Sequence, residues 1–112
     1  MLDNRKNLRY RTLAHARMPG VLDGENLLKD LSVTGCCVEC TSCADIKPDN
    51  QYQIEILPES AANIGKFELT VQVKWVRFGE YASEVGFIIT ASPKGRLFQR
   101  YVDYLGYRAS QT

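Results

Sequence analysis

The chain has 112 residues, of which 45% are hydrophobic and 24% are charged, and its formal net charge is +1. This length fits one compact domain, because single cores usually occupy about 100 to 150 residues. The composition is that of a globular protein and excludes a disordered chain. No apolar run approaches the roughly 18 residues of a membrane span, and the start lacks a signal peptide's apolar segment. We therefore expect a cytoplasmic protein without membrane insertion.

Positive charge is concentrated near the start of the chain. Within the first seventeen residues Asp3 is the single acidic residue, and the basic residues other than His15 are Arg5, Lys6, Arg9, Arg11 and Arg17. Such a segment is typical of a solvated terminal arm, or it contributes to an anion site. We predict a flexible basic arm over residues 1–8.

Short strands separated by turn residues are predicted to follow the arm. Arg9–Met18 forms a first strand that ends at Pro19-Gly20, and Glu25–Leu31 forms a second strand after the turn signal Asp23-Gly24. The apolar run Cys36–Thr41 predicts a third.

Two later segments alternate between apolar and polar residues, as half-buried strands do. The shorter segment is centred on Ile54, and the longer one runs from Phe67 to Trp75. The alternation places Trp75 on the apolar face of its strand, and therefore in the core. A turn near Phe78-Gly79-Glu80 returns the chain as Tyr81–Ile89, which makes a hairpin.

After Thr90 the spacing of the apolar residues changes to that of an amphipathic helix. The predicted stripe consists of Leu97, Phe98, Tyr101, Val102 and Leu105. Ser92 is suited to the N-cap, Pro93 to the first helical position and Gly106 to the end, so we predict a helix over residues 92–106. The whole pattern predicts a mainly β, single domain over residues 1–112. Its core is a small six-stranded antiparallel β-barrel over residues 9–90, followed by this C-terminal helix.

Four cysteines fall within eight residues, at Cys36, Cys37, Cys40 and Cys43. Their spacing is compatible with zinc or iron–sulfur ligation. Neighbouring residues of a strand point to opposite faces, however, which keeps the sulfur atoms from converging. A disulfide here would close only a short loop. We therefore predict reduced thiols that pack as small hydrophobic side chains, with no metal and no other cofactor.

Catalytic signatures are missing from the sequence. His15 is the only histidine, so a catalytic triad or a two-histidine metal site has no second candidate. The chain also lacks a nucleophile elbow, a P-loop and an HExxH sequence. We expect that the protein is not an enzyme.

Two short motifs carry the functional signal. The first is Arg5-x-x-x-Arg9, and the second is Asp30-x-Ser32-x-x-Gly35 within KDLSVTG. The second motif is also typical of an ordinary β-turn with local side-chain caps. In this order, the two motifs resemble the signature of the PilZ domain family, which is RxxxR followed by (D/N)xSxxG.

The resemblance extends to later parts of the chain and implies a ligand. The Val73-Lys74-Trp75 strand, the Glu84–Phe87 strand and the C-terminal helix are similar to PilZ features. PilZ domains are six-stranded barrels that bind the bacterial second messenger cyclic di-GMP. The resemblance therefore implies a cyclic di-GMP site made of Arg5, Arg9, Asp30, Ser32 and Gly35.

The residue types of this implied site suit the ligand. A guanidinium binds phosphate or the guanine edge through paired hydrogen bonds and also stacks on purines. The Asp30 carboxylate is suited to accept guanine N–H bonds, the Ser32 hydroxyl can donate or accept, and Gly35 allows close approach. Asn4 stands where many family members carry a further arginine.

We therefore expect a cytoplasmic cyclic di-GMP receptor that relays the signal to another protein. Nucleotide binding would order the N-terminal arm and present a new surface to that partner, with motility or surface behaviour as the family-level role. In this interpretation, a second position for Trp75 is the barrel mouth, with its ring stacked near a guanine.

Two other functions fit parts of the sequence. The first is a PilZ-like protein-interaction module that binds no nucleotide. The second is a small barrel that binds single-stranded nucleic acid through its basic arm and aromatic residues. The near-neutral net charge argues against nucleic acid, because such binding usually needs a broad positive groove.

Overall fold

The computed structural model describes residues 8–41, 43, 46–92 and 96–111, so the predicted arm lies outside the described residues except for Leu8. Seven strand segments precede one helix. They are β1 Tyr10–Arg11, β2 His15–Arg17, β3 Asn26–Leu31, β4 Gly35–Cys40, β5 Gln51–Leu57, β6 Phe67–Arg77 and β7 Ser83–Ala91, and the helix is α1 Leu97–Ala109. A short 3-10 helix at Ser60–Ala62 connects β5 to β6.

The strands close into a barrel. β1 and β2 lie end to end along β3, with Tyr10 opposite Leu31 and His15 opposite Leu27. They form one barrel strand that is interrupted where the Thr12 hydroxyl donates to the Leu28 carbonyl. The remaining antiparallel order is β2-β5-β6-β7-β4, and β4 pairs with β3 to complete the ring. The predicted six-stranded antiparallel barrel is therefore confirmed.

The barrel interior is filled by the alternating residues of its strands. On β5 and β6 the buried positions are Ile54, Ile56, Phe67, Leu69, Val71 and Val73, as the alternation predicts. β6 and β7 form the predicted hairpin, in which Val73 lies opposite Phe87 and Arg77 opposite Glu84.

Trp75 departs from the predicted pattern. It is 36% exposed and does not belong to the core. A β-bulge lies between Val73 and Trp75, because Val73 pairs with Phe87 and Trp75 with the next residue, Gly86. The extra residue, Lys74, reverses the alternation, so the prediction that Trp75 is a core residue is wrong.

The helix is displaced toward the end of the chain relative to the prediction. α1 starts at Leu97, after Arg96, and ends at Ala109, whereas Pro93 lies outside the described residues. Gly106 lies within the helix, and a Cβ atom there would stand 3.4 Å from the Tyr10 hydroxyl oxygen. Gly106 therefore lies beside the Tyr10 ring within the helix and does not end it. Among the described residues, no helix combines the length and apolarity needed to cross a bilayer.

Helix α1 is fixed to the barrel by a buried apolar stripe and by one polar cluster. The buried residues are Phe98, Tyr101, Val102 and Leu105, which confirms the predicted stripe. The Tyr101 hydroxyl donates to Glu59 at 2.5 Å, and Arg108 donates to the other Glu59 oxygen at 2.7 Å. Arg108 also donates to the Arg11 carbonyl at 2.6 Å, which connects the helix to β1. Burial, followed by the hydrogen bond to Glu59, raises the pKa of Tyr101.

All four cysteines are buried and unbridged. Burial raises the pKa of Cys36 and of Cys40 to about 12 and that of Cys37 to about 11. Within the described ranges, no three histidine, cysteine or acidic residues lie close enough together to hold a metal ion. The thiols act as small apolar side chains at β4 and just beyond it.

The buried thiols should be unreactive in the folded protein. Because the thiolate is the nucleophile, native protein at about pH 8 should stay unmodified by iodoacetamide while the guanidinium-unfolded protein takes up four groups. Intact-mass spectrometry measures both reactions, and rapid native labelling would contradict the burial.

The raised pKa values also predict that the thiols' contribution to folding stability is fully present below pH 9 and falls as the pH rises toward 11 to 12, because the thiols of the unfolded chain then lose protons first.

Candidate functional site

The fold brings three of the five predicted site residues into one place. Arg9 immediately precedes β1, Asp30 lies on the neighbouring strand β3, and Gly35 begins β4. Ser32 lies in the turn between β3 and β4. Arg5 lies outside the described residues.

Arg9 and Asp30 form an ion pair across two barrel strands. The Arg9 Nη1 atom donates to Asp30 Oδ1 at 2.8 Å. The antiparallel register of β1 and β3 produces this contact, because Tyr10 stands opposite Leu31 and Arg11 opposite Asp30. The two sequence motifs, 21 residues apart at this pair, therefore meet on the outer face of the barrel.

Position 35, beside this ion pair, has no room for a side chain. A Cβ atom on Gly35 would lie 2.7 Å from the Phe87 carbonyl oxygen and 3.2 Å from the Arg9 Nη2 atom. A side chain would therefore force apart β4 and β7 and displace the Arg9 guanidinium. In the structure β7 and Arg9 approach this residue closely, and close approach of a ligand to Gly35 stays a prediction.

Ser32 shapes the turn below the pair. Its side chain is buried, and its Oγ accepts hydrogen bonds from the N–H groups of Thr34 at 3.2 Å and Gly35 at 3.0 Å. The same hydroxyl lies 3.2 Å from the Gly35 carbonyl, to which it can donate. These contacts hold the β3–β4 turn, and direct contact of Ser32 with a ligand stays a prediction.

The ion pair lies in a cleft that also contains charged residues from outside the two motifs. The cleft has a volume of about 360 Å³ and is lined by Arg9, Lys29, Asp30, Cys37, Trp75, Arg77 and Glu84. We call it the Arg9 cleft. A larger cavity of about 480 Å³, between β5, β6 and the start of α1, contains none of the four predicted site residues that the structure describes.

Two β-bulges shape the Arg9 cleft. One falls between Leu28 and Asp30, so Lys29 and Asp30 both lie outside the core, and the other turns Trp75 outward on β6. The Trp75 indole covers Gly86, where a Cβ atom would lie 2.2 Å from a ring carbon. Bulges of this kind re-aim side chains beside binding sites.

Acidic groups lie deeper in the Arg9 cleft than basic groups. The Asp30 and Glu84 side chains are 26% and 15% exposed, whereas Arg9, Lys29 and Arg77 are 49%, 49% and 71% exposed. The arginines and the lysine are therefore placed to meet anionic groups at the rim. The Asp30 carboxylate is placed to accept N–H donors from a group that enters the cleft.

Glu84 connects the two basic residues on the far side of the cleft. It forms an ion pair with Lys29, and Arg77 Nη1 donates to its Oε1 atom at 3.1 Å. The hydrogen bond with Lys29 lowers the pKa of Glu84, and the same bond raises the pKa of Lys29. The Arg77 guanidinium carbon lies 5.2 Å from the centre of the Trp75 ring, within cation–π range.

Sequence comparisons find neither a matching family model nor a matching curated protein. Solved structures do match. The Bacillus subtilis inhibitor of motility MotI/DgrA aligns with a TM-score of 0.77 at 14% identity, over 99% of this chain and 53% of that one. The PilZ domain of Escherichia coli YcgR with c-di-GMP aligns with a TM-score of 0.69 at 18% identity, over 93% of this chain and 92% of that one. The chain has the fold of a PilZ domain.

The comparison extends to a larger protein that contains this fold. A second structure of E. coli YcgR, in complex with c-di-GMP, aligns with a TM-score of 0.68 at 20% identity, and the match covers 93% of this chain but 46% of that one. The chain thus spans about half the length of the MotI/DgrA structure and of this YcgR structure. The likeness concerns the PilZ fold.

Sequence reasoning missed Lys29, Arg77 and Glu84 as residues of this PilZ-fold cleft. Lys29 and Glu84 are 55 residues apart, and no motif connects them. Only the register of the strands could have indicated that these residues meet. β4 lies between β3 and β7, and its Cys37 stands opposite Asp30 on one side and opposite Gly86 on the other. That signal requires knowing which strands are neighbours in the barrel.

Proposed function

We propose that the protein is a cyclic di-GMP receptor that binds the nucleotide in the Arg9 cleft. The observation that carries this proposal is the meeting of the two motifs at the Arg9–Asp30 pair, beside a glycine that admits no side chain. The PilZ-domain structure of YcgR with c-di-GMP supports it at the level of the fold. The proposed role requires binding and no catalytic step.

Each residue then has a distinct task. Arg9 exchanges part of its contact with Asp30 for the ligand, binding a phosphate or the guanine N7 and O6 atoms through its planar fork. Asp30 accepts hydrogen bonds from guanine N1–H and the exocyclic amino group. Arg5 joins from the N-terminal arm, and Ser32 keeps the turn that presents Asp30 and Gly35.

Signal output in this proposal passes through the arm to a second protein. Nucleotide binding would order the arm, because the arm supplies one of the arginines, and would create a surface that a partner recognises. The structural likeness to an inhibitor of motility makes motility the first process to examine.

Trp75 offers a direct test of the proposal. It is the only tryptophan in the chain and lines the Arg9 cleft, so nucleotide binding should change its fluorescence. We expect a saturable change with cyclic di-GMP and a matching heat in titration calorimetry. A single-stranded oligonucleotide serves as the control ligand and should give neither signal.

The same titration separates the other candidate functions. If cyclic di-GMP changes neither the fluorescence nor the heat measured by calorimetry, the receptor proposal is overturned and a PilZ-fold interaction module is favoured. Salt-dependent binding of the oligonucleotide, without a response to the cyclic dinucleotide, would favour nucleic-acid binding.

A further inference from the structure

We propose that Glu84 limits the affinity of the Arg9 cleft for nucleotide, because it holds two cations that the ligand phosphates would otherwise bind. This inference rests on the proposed function and concerns a residue outside both motifs. It assigns to Glu84 the role of an affinity-setting residue.

The geometry places Glu84 at the centre of a charge cluster. It lies on β7, opposite Arg77 of β6 and opposite Glu39 of β4. One of its carboxylate oxygens binds Arg77, and the other binds Lys29. Both oxygens are therefore occupied by cations that line the cleft.

The charge balance of the cleft shows why this matters. Within the described part of the chain, the ionised residues lining it are three cations, Arg9, Lys29 and Arg77, and two carboxylates, Asp30 and Glu84. A cyclic dinucleotide brings two phosphate charges to the cationic rim. Glu84 opposes that approach twice, since its own charge repels phosphate and its ion pairs occupy Lys29 and Arg77.

An opposite role for Glu84 would give an opposite result. A carboxylate that accepts guanine N–H bonds contributes to affinity, and its loss weakens binding, as we expect for Asp30. Glu84 differs from Asp30 because both of its oxygens already have cationic partners, whereas the ion pair that Asp30 forms among the described residues uses Oδ1. The sign of the change in affinity therefore distinguishes the two roles.

The experiment is calorimetric titration of cyclic di-GMP into the full chain and its Glu84→Gln variant. Glu84→Gln keeps the shape and removes the charge, and we expect about five- to tenfold tighter binding at low salt, with a smaller gain at high salt. Glu39→Gln is the matched control. It removes the same charge from the position opposite Glu84, but Glu39 does not line the Arg9 cleft, so we expect little change.

A second pair of variants tests the mechanism. If Glu84 acts by holding Arg77, Glu84→Gln should gain less affinity in an Arg77→Gln background than in the parent. Should Glu84→Gln fail to fold, Glu84→Ser removes the same charge with a smaller side chain and carries the same expectation.

The outcomes separate this inference from the proposed function. Binding by the parent with equal or weaker binding by the Glu84 variants would overturn the role of Glu84 alone. An equal gain in Glu39→Gln would also overturn it, because the effect would then be one of general charge. No binding by the parent would overturn the proposed function and this inference together.

Discussion

Replacement of Arg9 by alanine should weaken cyclic di-GMP binding about ten- to a hundredfold, because each hydrogen bond to a charged group contributes about 1.5 to 3 kcal/mol. Arg9 is the described residue of the first motif that contacts the second motif, through its ion pair with Asp30 and its proximity to Gly35. Folding stability should change by less than about 1 kcal/mol, since the Arg9–Asp30 pair is partly exposed. Titration calorimetry and a urea melt measure the two effects separately.

Arg17→Ala is the matched control for this variant. Arg17 is another partly exposed arginine with acidic neighbours, Glu25 and Glu55, but it does not line the Arg9 cleft. It should leave nucleotide affinity unchanged. Parent-like affinity in folded Arg9→Ala protein would contradict the assignment of Arg9 to the site.

Tyr101→Ala should produce the largest loss of stability, about 3 to 5 kcal/mol, as is typical of a large aromatic side chain removed from a core. Tyr101 is 0% exposed, and its ring packs between the helix and Phe67 of the barrel. The loss is a large fraction of the roughly 5 to 15 kcal/mol that stabilises a domain. Urea unfolding followed by far-ultraviolet circular dichroism measures it.

Two further variants divide this effect into its parts. Tyr101→Phe keeps the ring and removes the hydroxyl that donates to Glu59, so it should cost about 1 to 3 kcal/mol. Tyr107→Ala, at a 66% exposed position of the same helix, should change stability by about 0.5 kcal/mol or less. Equal losses in Tyr101→Ala and Tyr107→Ala would show that the packing of α1 on the barrel contributes little.

Local sequence patterns predicted most of the barrel. Strands with a strict alternation, such as β5 and the first part of β6, have the buried faces that their apolar residues indicate. The pattern failed at Trp75 because the bulge at Lys74 is defined by the pairing of β6 with β7. A single strand, read alone, continues its alternation through such a position.

The end of the helix and about half of the residues that line the cleft were not predicted, for a related reason. Gly106 is typical of a helix end, yet it lies inside α1, next to Tyr10, which stands nearly a hundred residues earlier. Glu84 likewise meets Lys29 only once β4 lies between their strands. Arg9 and Asp30 could be assigned to one site from the sequence because the resemblance to a family signature replaced the missing three-dimensional information, whereas their direct ion pair was not predicted.

Arg108 has a consequence for local opening of the molecule. Its guanidinium binds the main chain of β1 and a carboxylate that also accepts from Tyr101, so it joins three parts of the chain. The last turns of α1 cannot move away without releasing β1, the strand that Arg9 precedes. The backbone amides of β1 and of these turns should therefore exchange with solvent deuterium as one cooperative unit.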